Sequence, residues 1–135
     1  MKPFAMTRQM LSLGGSFYPT GWVVAMLPSE DDVKQAAQAL EHKAAKSGEV
    51  LHLPPEVLLR ELGGAIGESE VPLPSVGTEG ESVRKYLALA RQGHHGLMVH
   101  APGDEDTERV MQVLRGLPLA YAQKYHRLMI EDLHA

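Results

Sequence analysis

Apolar residues run from Trp22 to Leu27 without a polar break. A second run, Gly96 to Ala101, is interrupted only by His100. Each run reaches a proline and then three acidic residues. Laid over residues 22–32 without a gap, residues 96–106 bring Pro102 onto Pro28 and Asp106 onto Asp32. Further on, Gln112 meets Gln38 and Leu114 meets Leu40. The matched order of strand, proline, acids and helix reads as a duplicated βα unit. The first run is apolar on both sides, which suits a strand at the centre of a sheet. Ser29 is placed to cap the first helix, with Asp32 completing a capping box. Glu30, Asp31 and Asp32 fill the first turn, where the helix dipole favours them. Val33, Ala36, Ala37 and Leu40 form its buried stripe, and Val110, Met111 and Leu114 form that of the second copy over Asp104 to Arg115. Thr107 stands where the first copy has Val33.

Between the copies, Glu49 to Leu53 reads as a second strand closed by Pro54-Pro55. A short helix follows from Glu56 to Leu62 and stops at Gly63-Gly64. Ala65 to Gly80, rich in Gly, Pro, Ser and Glu, reads as a mobile surface loop. Glu81 to Gln92 recovers helical spacing through Val83, Tyr86, Leu87 and Ala90, and Gly93 ends it. The third strand is His95 to Ala101. The segment 119–133 fits a helix through Leu119, Ala122, Tyr125, Met129 and Leu133, and fits a strand by alternation. A duplicated βα unit needs a return strand, so Lys124 to Ile130 is read as the fourth. Residues 1–20 form an N-terminal arm, loosened by Gly14-Gly15-Ser16, with 1–16 expected to be mobile. Residues 21–135 form one α+β domain with an insertion over about 54–93.

Two β-α-β units in series define a ferredoxin-like fold. Its sheet is four-stranded and antiparallel, in the order 4-1-3-2 counted along the chain, with a helical insertion between strands 2 and 3. A flavodoxin-like parallel sheet is the alternative. Val23, Ala25, Val33, Ala37, Leu40, Val99, Met111 and Leu114 are expected in one core. The paired helices cover one face of the sheet, and the insertion, the arm or a second chain must cover the other.

Composition narrows the function classes. At 135 residues the chain can build a proper core, and a net charge of −4 with scattered Lys and Arg argues against nucleic acid as a partner. No cysteine is present, which excludes disulfides and thiolate chemistry and fits the cytoplasm. No apolar run is long enough for a membrane span, and Met1 to Leu13 lacks the continuous apolar segment of a signal peptide.

Three stretches carry a resemblance to a known family. They are Pro19 to Asp32, the helix containing Tyr86 and ending at Gly93, and Leu97-Met98-Val99-His100-Ala101; Tyr125 to Leu133 is similar to its closing strand. On these residues the chain resembles the heat-induced or general stress protein domain of bacteria. The glycine-rich apolar middle segment common in that family is matched only by Gly63-Gly64-Ala65-Ile66-Gly67. The resemblance implies a stress-associated role and supplies no catalytic residues.

Histidines are the candidate chemistry. His52 and His94-His95 lie on strands expected to be antiparallel neighbours, so they can meet at one edge, as metal ligands would. Adjacent strand residues face opposite sides, however, and His94 and His95 cannot both aim at His52 without a bulge. The plain alternative is solvated loop histidines and a half-buried edge residue. His100, about 20 Å along the strand from His94, is too far to join them. It precedes a helix N-terminus, where the dipole suits a small anion; the favoured reading is a neutral histidine hydrogen-bonded inside the βα turn. Gly103-Asp104-Glu105-Asp106 suits a hard cation no better than it suits a helix cap, and Gly63 to Gly67 lacks the residues of a phosphate loop.

These features favour a non-catalytic, stress-associated or protein-interaction module in the cytoplasm. It is expected to be a homodimer, with no cofactor, no bound metal, no nucleic acid and no membrane span. The alternative is a small-ligand-binding protein or enzyme of the dimeric ferredoxin-like kind, with His52, His94, His95 and His100 lining its pocket.

Overall fold

The computed structural model describes residues 2–4, 17–43, 50–67, 77–126 and 130–133. They form an α+β fold: one sheet carrying four helices. In chain order the elements are β1 (Lys2–Pro3), β2 (Trp22–Leu27), α1 (Glu30–Lys43), β3 (Val50–Leu53), α2 (Pro55–Gly67), α3 (Gly77–Arg91), β4 (His95–His100), α4 (Asp104–Leu114), β5 (Tyr121–Tyr125) and β6 (Ile130–Asp132). The strand order is β1-β3-β4-β2-β5-β6. Five strands pair antiparallel, and β1 joins β3 in parallel.

This sheet differs from the expected four-stranded 4-1-3-2 arrangement at both edges. At one, residues 2–4 of the arm add a strand. Lys2 and Pro3 pair with Leu51 and His52, and the Phe4 amide donates to the His52 carbonyl at 3.1 Å. At the other, the single strand expected over Lys124 to Ile130 is a hairpin, with Tyr125 opposite Ile130 and Gln123 opposite Asp132. Of the expected strand, Lys124 and Tyr125 lie in β5 and Ile130 in β6, and residues 127–129 lie outside the described residues. Residues 5–16, most of the arm expected to be mobile, lie outside the described residues, as does the 68–76 part of the expected loop.

The duplication is visible in the register of β2 and β4. Val24 lies opposite Met98, its own counterpart in the second copy, and Val23 opposite Val99. A residue facing its own copy across an antiparallel ladder marks a local twofold axis. Around that axis α1 and α4 pack on one face of the sheet. Val23, Ala25, Val33, Ala37, Leu40, Val99, Met111 and Leu114 all belong to this core, joined by Leu27, Leu97 and Val110. Both helix starts are closed from their own sequence. The Asp32 amide donates to Ser29 Oγ at 3.2 Å, and the Gly103 amide donates to Asp106 Oδ2 at 3.1 Å.

The opposite face is covered by the insertion. Strand residues Val24, Met26, Leu51, Leu53, Met98 and Tyr125 pack with Leu58 and Leu62 of α2 and with Val83, Tyr86, Leu87 and Ala90 of α3. Phe17, from just before β2, is buried among them at 1% exposure. Gly96 lets α2 approach β4: a Cβ there would lie 3.1 Å from Leu53 Cβ and 3.4 Å from Leu58 Cδ1.

Two helix boundaries differ from expectation. The helix expected to stop at Gly63 runs to Gly67, and the one expected from Glu81 begins at Gly77. Gly63 has no positive φ. It therefore does not supply the left-handed residue that ends a helix, and the chain continues in helical form. A Cβ at Gly63 would lie 3.9 Å from Leu87 Cδ2, so the glycine sits where α2 meets α3. Gly93, by contrast, has φ +91°. Its amide bonds the Ala90 carbonyl at 2.9 Å, and the His94 amide reaches back to Leu89 at 3.0 Å. That is a Schellman closure, and it delivers the chain directly into β4.

Candidate functional site

The Schellman turn after α3 places His95 at the first position of β4. In the β3–β4 ladder His52 lies opposite Leu97. His95 is two residues away on β4 and therefore on the same face. The two rings meet edge to edge, nearly coplanar, with centroids 5.2 Å apart and planes inclined by 17°. His52 Nε2 lies 3.0 Å from His95 Nδ1, a hydrogen bond in which one ring donates N–H and the other accepts. Val50, Leu97 and Val99, on this same face, belong to the α1/α4 core. The pair thus occupies the end of that face, by the first turn of α1. There Glu30 and Lys34 form an exposed ion pair at 3.0 Å.

Electrostatics disfavour charge on His52. Burial lowers its pKa first, then the neighbouring His95 and, last, the Lys34 ammonium; Glu30 and Glu56 act in the opposite direction. Glu30 itself is held below its ordinary value, mainly by its hydrogen bond to Lys34 and the charge of that lysine.

The structure brings together two of the four candidate histidines. His94 precedes the strand and does not meet His52 or His95; its Nδ1 is buried with no hydrogen-bond partner. Strand alternation decides between the two neighbours, since only His95 shares a face with His52. His100 lies directly opposite Trp22 on β2, and the rings contact at a centroid distance of 5.0 Å. Val99 and Ala101 enter the α1/α4 core, so His100 points to the opposite face, away from α4 and its N-terminus. Among the described residues, no group of three or more His, Asp or Glu is arranged to hold a metal ion.

Two buried polar clusters lie outside the expected site. Lys124 on β5 is 1% exposed. Its ammonium donates to the Ala101 carbonyl and, at 2.7 Å, to Thr107 Oγ1. The Thr107 hydroxyl lies 3.0 Å from the Gly103 carbonyl. Burial lowers the lysine pKa, and Asp104, Asp106 and Glu131 oppose the shift. Thr107 replaces the Val33 of the first copy, and that change was the available signal: a hydroxyl on a buried helix stripe wants a partner.

The second cluster lies under α3. The fully buried Tyr86 hydroxyl donates to Gln123 Oε1 at 2.9 Å and lies 2.9 Å from the Tyr125 hydroxyl. With its one proton given to Gln123, Tyr86 accepts from Tyr125. Gln123 Nε2 then donates to Asp132 Oδ1 at 2.7 Å, which carries the network to the hairpin. Burial raises the pKa of Tyr86 and of Tyr125, keeping both phenols neutral well into alkaline pH. Phe17 meets both rings edge-on, at 6.5 and 5.9 Å.

An open depression on the outer side of α1 is lined by Gln35, Gln38, Ala39 and Glu41, and none of the candidate histidines reaches it. Among the described residues, no helix is long and apolar enough to cross a membrane. Comparison with family models, curated proteins and solved structures finds no match to this chain.

Proposed function

We propose that this chain is a non-catalytic protein-interaction module, built on a ferredoxin-like unit whose sheet is extended at both edges. The observation that carries the reading is the internal pairing of the Lys124 and Tyr86 clusters. Lys124 is used by Ala101 and Thr107, and Tyr86 is used by Gln123 and Tyr125. Polar groups that serve a substrate converge on a concave site; these are consumed inside the two cores. The stress-associated role rests on the sequence resemblance alone. The reason for expecting a homodimer was a bare sheet face. Because α2 and α3 cover that face, the proposed contacts lie on outer helix surfaces or sheet edges.

The His52–His95 contact is the observation that favours the second reading, a small-ligand-binding protein or enzyme using histidines. Native mass spectrometry of untagged protein, combined with elemental analysis, separates the two. The module reading expects bare chains, or their complexes with protein, and no stoichiometric zinc, copper or nickel. A small-molecule or metal adduct near one per chain, lost in a His52→Ala and His95→Ala double variant, would replace it with the second reading.

A further inference from the structure

The His52–His95 pair sits at a mechanically distinctive place. β3 has only four residues, and it ties the two-residue β1 to the rest of the sheet. The histidine rings bridge β3 to β4, while the His52 carbonyl accepts the Phe4 amide of the arm on the other side. One residue therefore joins the imidazole contact to the pairing of β1.

An N–H···N bond between imidazoles needs at least one ring to keep a lone pair. Two neutral rings satisfy it, and so does a pair carrying one shared extra proton. A second proton leaves two donors and two positive charges at 3.0 Å, with no acceptor between them. The surroundings offer little compensation. On α1, Glu30 is already engaged by Lys34, whose own charge opposes a cation on His52. On α2, Glu56 is the second carboxylate that favours protonation. The positive end of the α1 dipole lies at this end of the sheet and also disfavours cations.

We propose that the His52–His95 pair makes the β1–β3 edge of the sheet acid-labile, closed while at least one ring is neutral and released when both are protonated. Release separates β3, with β1 paired to it, from β4 and frees a ladder edge next to Leu51 and Leu53. The direction follows from linkage. Folding lowers the proton affinity of His52, so the opened edge binds more protons than the closed one. The stabilisation is present above the ordinary histidine value of about 6.5 and is lost as pH falls below it toward the depressed folded value.

The test is amide exchange followed by NMR, with rates corrected for intrinsic pH dependence. It compares the Phe4 amide and the amides of residues 50–53 with the β2–β5 ladder. Between about pH 7.5 and about pH 5, the range over which histidines titrate, edge protection is expected to fall about tenfold or more relative to the β2–β5 ladder. His95→Phe keeps a ring at that position but removes the nitrogen that meets His52, and His52→Gln removes the other imidazole. Whichever variant retains wild-type protection in β2 and β5 is expected to lose the pH response. Wild-type edge protection that does not change, or that falls equally in the variants, would overturn the proposal. So would a response that disappears in EDTA, which would make the two nitrogens metal ligands.

Discussion

Leu114→Ala is expected to lower the unfolding free energy by about 2–5 kcal/mol, the range for truncating a buried leucine. Leu114 is fully buried in the core between α4 and the sheet, among Val99, Val110, Met111 and Ala122. The lost methyl groups leave a cavity, and the β2–β4 ladder beneath it is held on both sides and cannot collapse to fill it. Leu40, its counterpart in the first copy, is 1% exposed in the same core, and Leu40→Ala is expected to cost a similar amount. Urea unfolding checks both. A cost near zero for one and full cost for the other would mean that the two halves do not share a core. The slope of the transition should stay unchanged, since neither substitution alters the surface exposed on unfolding.

Tyr86 supports the other face in two ways, and two substitutions separate them. Tyr86→Phe keeps the ring against Phe17 and Tyr121 but removes the hydroxyl that bonds Gln123 and Tyr125. The expected loss is about 1–3 kcal/mol, the cost of leaving buried polar partners unsatisfied. Tyr86→Ala removes the ring as well, and the expected loss rises to about 3–5 kcal/mol, as for other buried aromatics truncated to alanine. The ordering matters more than the values. If Tyr86→Phe costs nothing, water or a rotated Gln123 replaces the hydroxyl and the network does not hold the α3 face. If it costs as much as Tyr86→Ala, the hydrogen bonds outweigh the packing.

The sequence made the first face legible because its signals were local and repeated. Ser29 and Asp32 mark one helix start, Pro102 and Asp106 mark the other, and equivalent apolar positions fall on equivalent faces. The register of Val24 opposite Met98 follows once the two copies are paired about an axis. The second face was less legible. Gly63-Gly64 reads as a helix stop, and only the contact of α2 with α3 shows that the helix runs through it. A two-residue strand such as β1 leaves no periodic trace, so its pairing with β3 has no local signal. The pairing of β5 with β6 has no local signal either, because it joins residues of two separate strands.

The candidate site was legible only as far as alternation reaches. The period of two decides that His52 can meet one of His94 and His95, and strand register selects His95. Nothing local pairs His100 with Trp22, or Lys124 with Thr107, because each contact joins separate elements. A lysine in an alternating strand reads as solvent-facing by default. Its burial follows from the position of α4 across the sheet.

The central claim is that the chain covers both faces of its own sheet, and the methyl groups of Met26 and Met98 report on it most directly. Both are fully buried on the face toward α2 and α3. In a methyl NOESY spectrum with a soluble paramagnetic probe, the account predicts cross-peaks from these methionines to Leu58, Leu62 or Tyr86, and no broadening by the probe. Methionine methyls that broaden like surface groups and lack those cross-peaks would contradict it. The face would then be open, and a second chain or a ligand would have to cover it.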